Sequence, residues 1–113
     1  MNKYSDKSDF EINKAVAEKL KLKYEVDYGM RIVVICGHVI YNPCLNPSQS
    51  MPIIKDNLIS LEHDGIAWQV SCVRHPEISV WDGCENYNDN FYRKAMELFL
   101  LMKDAENENN NNS

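Results

Sequence analysis

From Asn88 to Lys103 the chain reads NDNFYRKAMELFLLMK, and no other stretch so narrows what it can fold into. Phe91, Ala95, Leu98, Phe99 and Met102 recur at steps of three and four residues, which places an apolar stripe along one face of a 3.6-period helix. Leu100 and Leu101 widen that stripe. Asn88 supplies an N-cap, Asp89 a carboxylate at the positive end of the helix dipole, and Lys103 a cation near the negative end. Burying about five large side chains at roughly 1.5–3 kcal/mol each gives on the order of 10 kcal/mol, comparable to the net stability of a small domain. The rest of the chain must therefore pack around this helix.

A chain of 113 residues accommodates one such core. A single domain is expected over residues 1–104, followed by an acidic, asparagine-rich tail over 105–113 expected to be disordered. Lys and Arg number 12 against 17 Asp and Glu, a net charge of −5, which argues against a nucleic-acid binder dependent on counterion release. The acids are also too scattered for a mimic of DNA. The first twenty residues alternate charged and apolar positions, and no run approaches the ~18 apolar residues of a membrane span, so a cytosolic protein with no membrane contact is expected. Cys36, Cys44, Cys72 and Cys84 are dispersed without any CxxC pair, which reads as reduced thiols and no metal site.

In chain order, Ser8-Asp9-Phe10-Glu11 forms a capping-box pattern that opens a helix over about Asp9 to Lys21, with Ile12, Val16, Leu20 and Ala15 turned inward. MRIVVICGHVIY, from Met30 to Tyr41, is dense in β-branched residues and broken by Gly37, so it is one bulged strand or a tight hairpin. So continuous an apolar run implies burial on both faces. In the loop that follows, Asn46 before Pro47 reads as the cap and first residue of a short helix toward Asn57, limited by Pro52. Asn57–Glu62 and Ile66–Cys72 are strands joined at Asp64-Gly65. Ile66, Trp68, Val70 and Cys72 face the core, with Ala67, Gln69 and Ser71 opposite. Ile78–Trp81 reads as an edge strand before an Asp82-Gly83 turn and a polar linker to Asn88. This order predicts an α+β domain, a small antiparallel sheet covered by N- and C-terminal helices.

The four glycines, Gly29, Gly37, Gly65 and Gly83, stand apart and form no phosphate-cradling loop. Cys36 and His38 resemble a thiol pair without an orienting acid, and His63-Asp64 falls on a turn tip. No catalytic residue and no cofactor are expected, and the chain is not read as an enzyme. Binding remains. Trp68 and Trp81 near Arg74, with Arg93 and Lys94 at the start of the last helix, could hold a nucleotide by stacking and charge. The alternative leaves Trp68 in the core and Arg74 as an exposed strand end.

Taken together, YSDKSDFEINKAVA, NPCLNPSQSMPIIKDNLISL, the isolated Trp68 and the closing RKAMELFLLMK resemble the NinX-type family of small phage and prophage proteins, over most of residues 4 to 104. Met51 stands where a tryptophan often precedes Pro-Ile-Ile in that family, and Lys94 where a small residue does. The resemblance implies an α–β–α sandwich in a bacterial host's cytosol, with no established activity. The phage setting suggests counter-defence or host takeover, by an oligomer that sequesters a small nucleotide signal in a pocket combining Asn42, Pro43, Asn46 and Met51 with Arg74, Trp81 or Arg93. The rival is an inhibitor that binds a host defence protein through the sheet face near Gln69 and Ser71. Surface chemistry separates them: a pocket with two or more Arg or Lys favours a nucleotide, an apolar patch rimmed by acids favours a protein.

Overall fold

The computed structural model describes residues 2–81 and 90–111. The Asp82-Gly83 turn, Cys84, the linker, and the expected capping residues Asn88 and Asp89 lie outside the described residues. Helix α1 spans Asp9–Lys19, and the Ser8 hydroxyl accepts from the Glu11 amide at 3.2 Å, one half of the capping box. Lys21, at φ 59°, turns the chain out of the helix. The face that α1 buries is Ile12, Asn13, Val16 and Ala17, whereas Leu20 is exposed because the helix ends before it.

Strands β1 (Tyr24–Asp27), β2 (Ile32–Ile35) and β3 (Val39–Ile40) form an antiparallel sheet in that order. Of the two readings of the Met30–Tyr41 run, the hairpin is the one observed. Its turn places Cys36 at φ 53° and Gly37 at φ 77°, the double positive φ of a type I′ connection, and the His38 amide closes it on the Ile35 carbonyl. Burial on both faces does not hold: Ile40 is exposed, because among the described residues α1 alone covers this sheet, on the other side.

Helix α2 (Pro47–Asp56) is capped by Asn46, whose side chain accepts from the Ser48 amide, and it continues past Pro52 to Asn57. Strands β4 (Ile59–His63), β5 (Trp68–Cys72) and β6 (Ser79–Trp81) form a second antiparallel sheet in chain order. Asp64 caps the β4–β5 loop by accepting from the Ile66 and Ala67 amides, so Ala67 is buried and Ile66 exposed, the reverse of the expected alternation. Two sheets stand where one was expected. The Gln49 side chain explains the break: it donates to the Ile40 carbonyl and accepts from the Asn42 amide, sealing the edge of β3 before another strand can join.

Helix α3 (Phe91–Asn111) is the spine. It packs on α1, α2 and all three strands of the second sheet, while the first sheet packs on α1. Ala95, Met96, Leu98, Phe99, Leu100 and Met102 are buried among Ile12 and Val16 of α1, Ile53 and Ile54 of α2, and Val33, Val70 and Val80 of the sheets. Asn90 does the capping, its side chain accepting from the Arg93 amide. The helix runs on through residue 111; Lys103 pairs with Glu106, and Glu106 reaches His75 beyond β5. No helix among the described residues is long and apolar enough to cross a membrane.

Candidate functional site

The first sheet has one face against the core and one without a cover among the described residues. Its register pairs Tyr24 with Ile35, Glu25 with Val34, Val26 with Val33 and Asp27 with Ile32, then Val34 with Ile40 and Ile35 with Val39. Alternation sets Tyr24, Val33 and Ile35 toward the core, and Glu25, Asp27, Ile32, Val34 and Ile40 outward. Ile40 is 56% exposed, and Tyr28 and Met30, in the β1–β2 connection, are 69% and 71% exposed. A shallow groove of about 440 Å³ runs here, lined by Glu25, Asp27, Tyr28, Ile32, Val34 and Gly37 among others, and among the described residues its lining includes no Lys or Arg. Two cations lie nearby: Arg31 sits over the Phe10 ring and donates to Ser8, while Lys14 of α1 reaches to 6.0 Å from the ring centre of Tyr28 at the rim of the groove. The outer face is thus apolar at its centre and acidic along β1.

The residues singled out from sequence are placed elsewhere. Asn42 and Arg93 are linked, through a chain of buried or half-buried hydrogen bonds. Asn13 donates to the Asn42 side chain (2.8 Å), the Cys44 amide to Asn13 (3.2 Å), Asn90 to the Cys44 carbonyl (2.8 Å), and the Arg93 amide to Asn90 (3.2 Å). Pro43 is fully buried beside them, and Asn46 is the α2 cap. The Arg93 guanidinium donates to Asp9, Glu97 and the carbonyls of Tyr4 and Lys7. Lys94 is buried, with Nζ on the Trp68 carbonyl at 2.9 Å. The Asn-Pro loop and the basic start of α3 are therefore joined as scaffold. Met51 and Arg74 are exposed on other elements, Met51 on α2 and Arg74 in the turn after β5, and Trp81 ends β6 opposite Gln69.

Trp68 stands between the two readings made of it. It is half-buried in an aromatic row, edge-on to His63 (5.2 Å between ring centres) and tilted on Phe91 (4.7 Å), which in turn meets Tyr92 (4.4 Å). The Cys36–His38 pair does not form: His38 Nδ1 donates to the Cys36 carbonyl. Burial pushes the Cys44 thiol far above its ordinary range, leaving it a packing residue. Among the described residues no cluster of three His, Cys, Asp or Glu is set to hold a metal ion.

The groove itself escaped sequence reasoning. The signal that points to it is the alternation Tyr24-Glu25-Val26-Asp27, apolar and acidic by turns, ahead of the stronger Met30–Tyr41 run.

The family described as Bacteriophage P22, NinX matches residues 3–103. The chain belongs to the bacteriophage P22 NinX family. No curated protein and no solved structure matches it. The NinX match spans α1 through most of α3, so the groove and the buried Asn42–Arg93 scaffold both fall inside the family region.

Proposed function

We propose that this NinX-family chain is a phage-encoded accessory protein that acts without catalysis, by binding another protein through the outer face of its first sheet. The observation that carries the reading is the groove, where Ile32 and Val34 lie between Glu25, Asp27 and the exposed Tyr28, with no Lys or Arg in the lining among the described residues. An apolar segment flanked by Lys or Arg fits it, because burial of apolar area supplies affinity and the two carboxylates supply direction. A phosphate-bearing ligand requires the opposite charge. Sequestration of a nucleotide signal would rest on Arg74, Met51 and Trp81, since the Arg93 charge is already matched by Asp9 and Glu97. In a phage setting the partner is a host or defence protein, and the role counter-defence or host takeover.

The test compares capture from host lysate by the wild type, by Ile40→Glu on the groove side, and by Val73→Glu at the exposed end of β5, with circular dichroism verifying that each is folded. A protein retained by wild type and Val73→Glu but lost with Ile40→Glu is the expected result. Equal retention by all three, or none by the wild type, overturns the reading. A thermal-shift series with cyclic dinucleotides and ADP-ribose cyclisation products covers the other side: ligand at 100 times its Kd adds about 2.7 kcal/mol, and the corresponding rise in Tm, on the order of 10 °C, restores the nucleotide reading.

A further inference from the structure

The free edge of β1 is complementary to itself. The direction of its backbone groups follows from the neighbouring ladder. The Tyr41 amide donates to the Val33 carbonyl at 2.7 Å, so Val33 and Ile35 direct their backbone groups toward β3, and Ile32 and Val34 direct theirs toward β1. Glu25 and Asp27, opposite Val34 and Ile32, are therefore bonded to β2, and the N–H and C=O of Tyr24 and Val26 point away from the sheet. Among the described residues nothing meets those groups. The strand carries no proline or bulge; it is short and lined by Lys23, Glu25 and Asp27, so charge governs what can pair with it.

The side chains along this edge select a partner. Leu22-Lys23-Tyr24-Glu25-Val26-Asp27 alternates, with the charged positions outward, positive before Tyr24 and negative after it. Four antiparallel self-pairings satisfy the direction of the backbone groups. Centring on Leu22 and Tyr24 together sets Lys23 against Lys23. Centring on Glu25 sets Glu25 against itself, and centring on Val26 sets Glu25 against Asp27. Centring on Tyr24 sets each Lys23 against Glu25 of the second copy and each Leu22 against Val26, with opposite charges directly across the strand pair. Neither Lys23 nor Glu25 forms an ion pair within its own chain among the described residues.

We infer that two copies of this chain associate by antiparallel pairing of their β1 edges about a two-fold axis at Tyr24, joining the two first sheets into one sheet of six strands. The symmetry is closed, so pairing stops at two. The Tyr24 residues exchange both backbone bonds across the axis, and each Val26 amide reaches the Leu22 carbonyl of the second copy. The Leu22 amide already donates to Ala17, and Lys21 at φ 59° leaves the extended path, so the pairing is confined to Leu22–Val26. An interface this short is weak, in the micromolar class. It brings the two outward faces side by side, which widens the proposed protein-binding surface without depending on it.

Sedimentation equilibrium of the purified full chain tests the inference. The wild type is expected to be dimeric at about 500 µM and to dissociate on dilution. Lys23→Glu and Glu25→Lys are each expected to shift the equilibrium to monomer by about tenfold in Kd, since each sets like charges across the axis, and the double exchange is expected to restore the dimer. Wild type that stays monomeric at that concentration overturns the proposal. So does a dimer that either single variant leaves unchanged, or one that the double exchange fails to restore.

Discussion

Arg93 donates to four acceptors drawn from three parts of the chain: the N-terminal segment, α1 and its own helix. Burial disfavours its charge, but hydrogen bonds to Asp9 and Glu97 outweigh that and hold its pKa above the ordinary arginine value. Only the planar fork of a guanidinium can serve acceptors in so many directions. Arg93→Ala leaves the buried Glu97 without its cation, and we expect a loss of about 3 kcal/mol in urea unfolding. Arg74→Ala, on an exposed turn, should move stability by less than about 0.5 kcal/mol. Equal effects of the two substitutions would contradict the scaffold role. Sequence reading grouped these two arginines as phosphate contacts because residue type is visible in a sequence and the partner is not. The carbonyls of Tyr4 and Lys7 carry no signature at all.

The β2–β3 hairpin turns on Cys36 and Gly37, both in the left-handed region that favours glycine and asparagine. Cys36→Asn should therefore raise the urea midpoint, by up to about 1 kcal/mol in stability, because it supplies the Asn-Gly pair this turn prefers. Gly37→Ala should lower it by about 1 kcal/mol through backbone strain alone, since no atom lies within 4 Å of the added Cβ. The opposite signs separate conformational preference from packing. Gly37 also illustrates what was legible at this scale: a glycine inside a β-branched run left two options, and the turn decided between them. Likewise the apolar period of α3, the Ser8 and Asn46 caps and the Asp64-Gly65 loop were readable because each is a local pattern. The split into two sheets was not, because it depends on the Gln49 side chain sealing β3 from the following helix. Nor was the contact of Glu106 in α3 with His75, which is distant in sequence. The candidate groove was hidden for a similar reason: the outward turn of Ile32, Val34 and Ile40 follows from α1 covering only the other face.

At the scale of the whole molecule, one carboxylate ties the N-terminal segment and α1 to the spine. Asp104 of α3 accepts from the Tyr4 hydroxyl and pairs with Lys3 at 2.8 Å and Lys19 at 3.5 Å. Burial pushes its pKa up, but the hydrogen bonds from Lys3 and Tyr4 and the charges of Lys3 and Lys19 prevail and hold it below the ordinary aspartate value. A carboxyl depressed in the folded state contributes stability that is fully present above its unfolded pKa, about 3.9, and is lost as pH falls through the folded one. Asp104→Asn should then be less stable than wild type at neutral pH, and the gap should close as pH drops below about 4. Asp64 is also depressed, chiefly by the Ala67 and Ile66 amides, but it is present in both proteins and cancels in the comparison. Urea midpoints of the two proteins at a series of pH values from neutral to acid would read this directly. A gap that persisted unchanged into strong acid would mean that Asp104 holds the termini by shape rather than by charge.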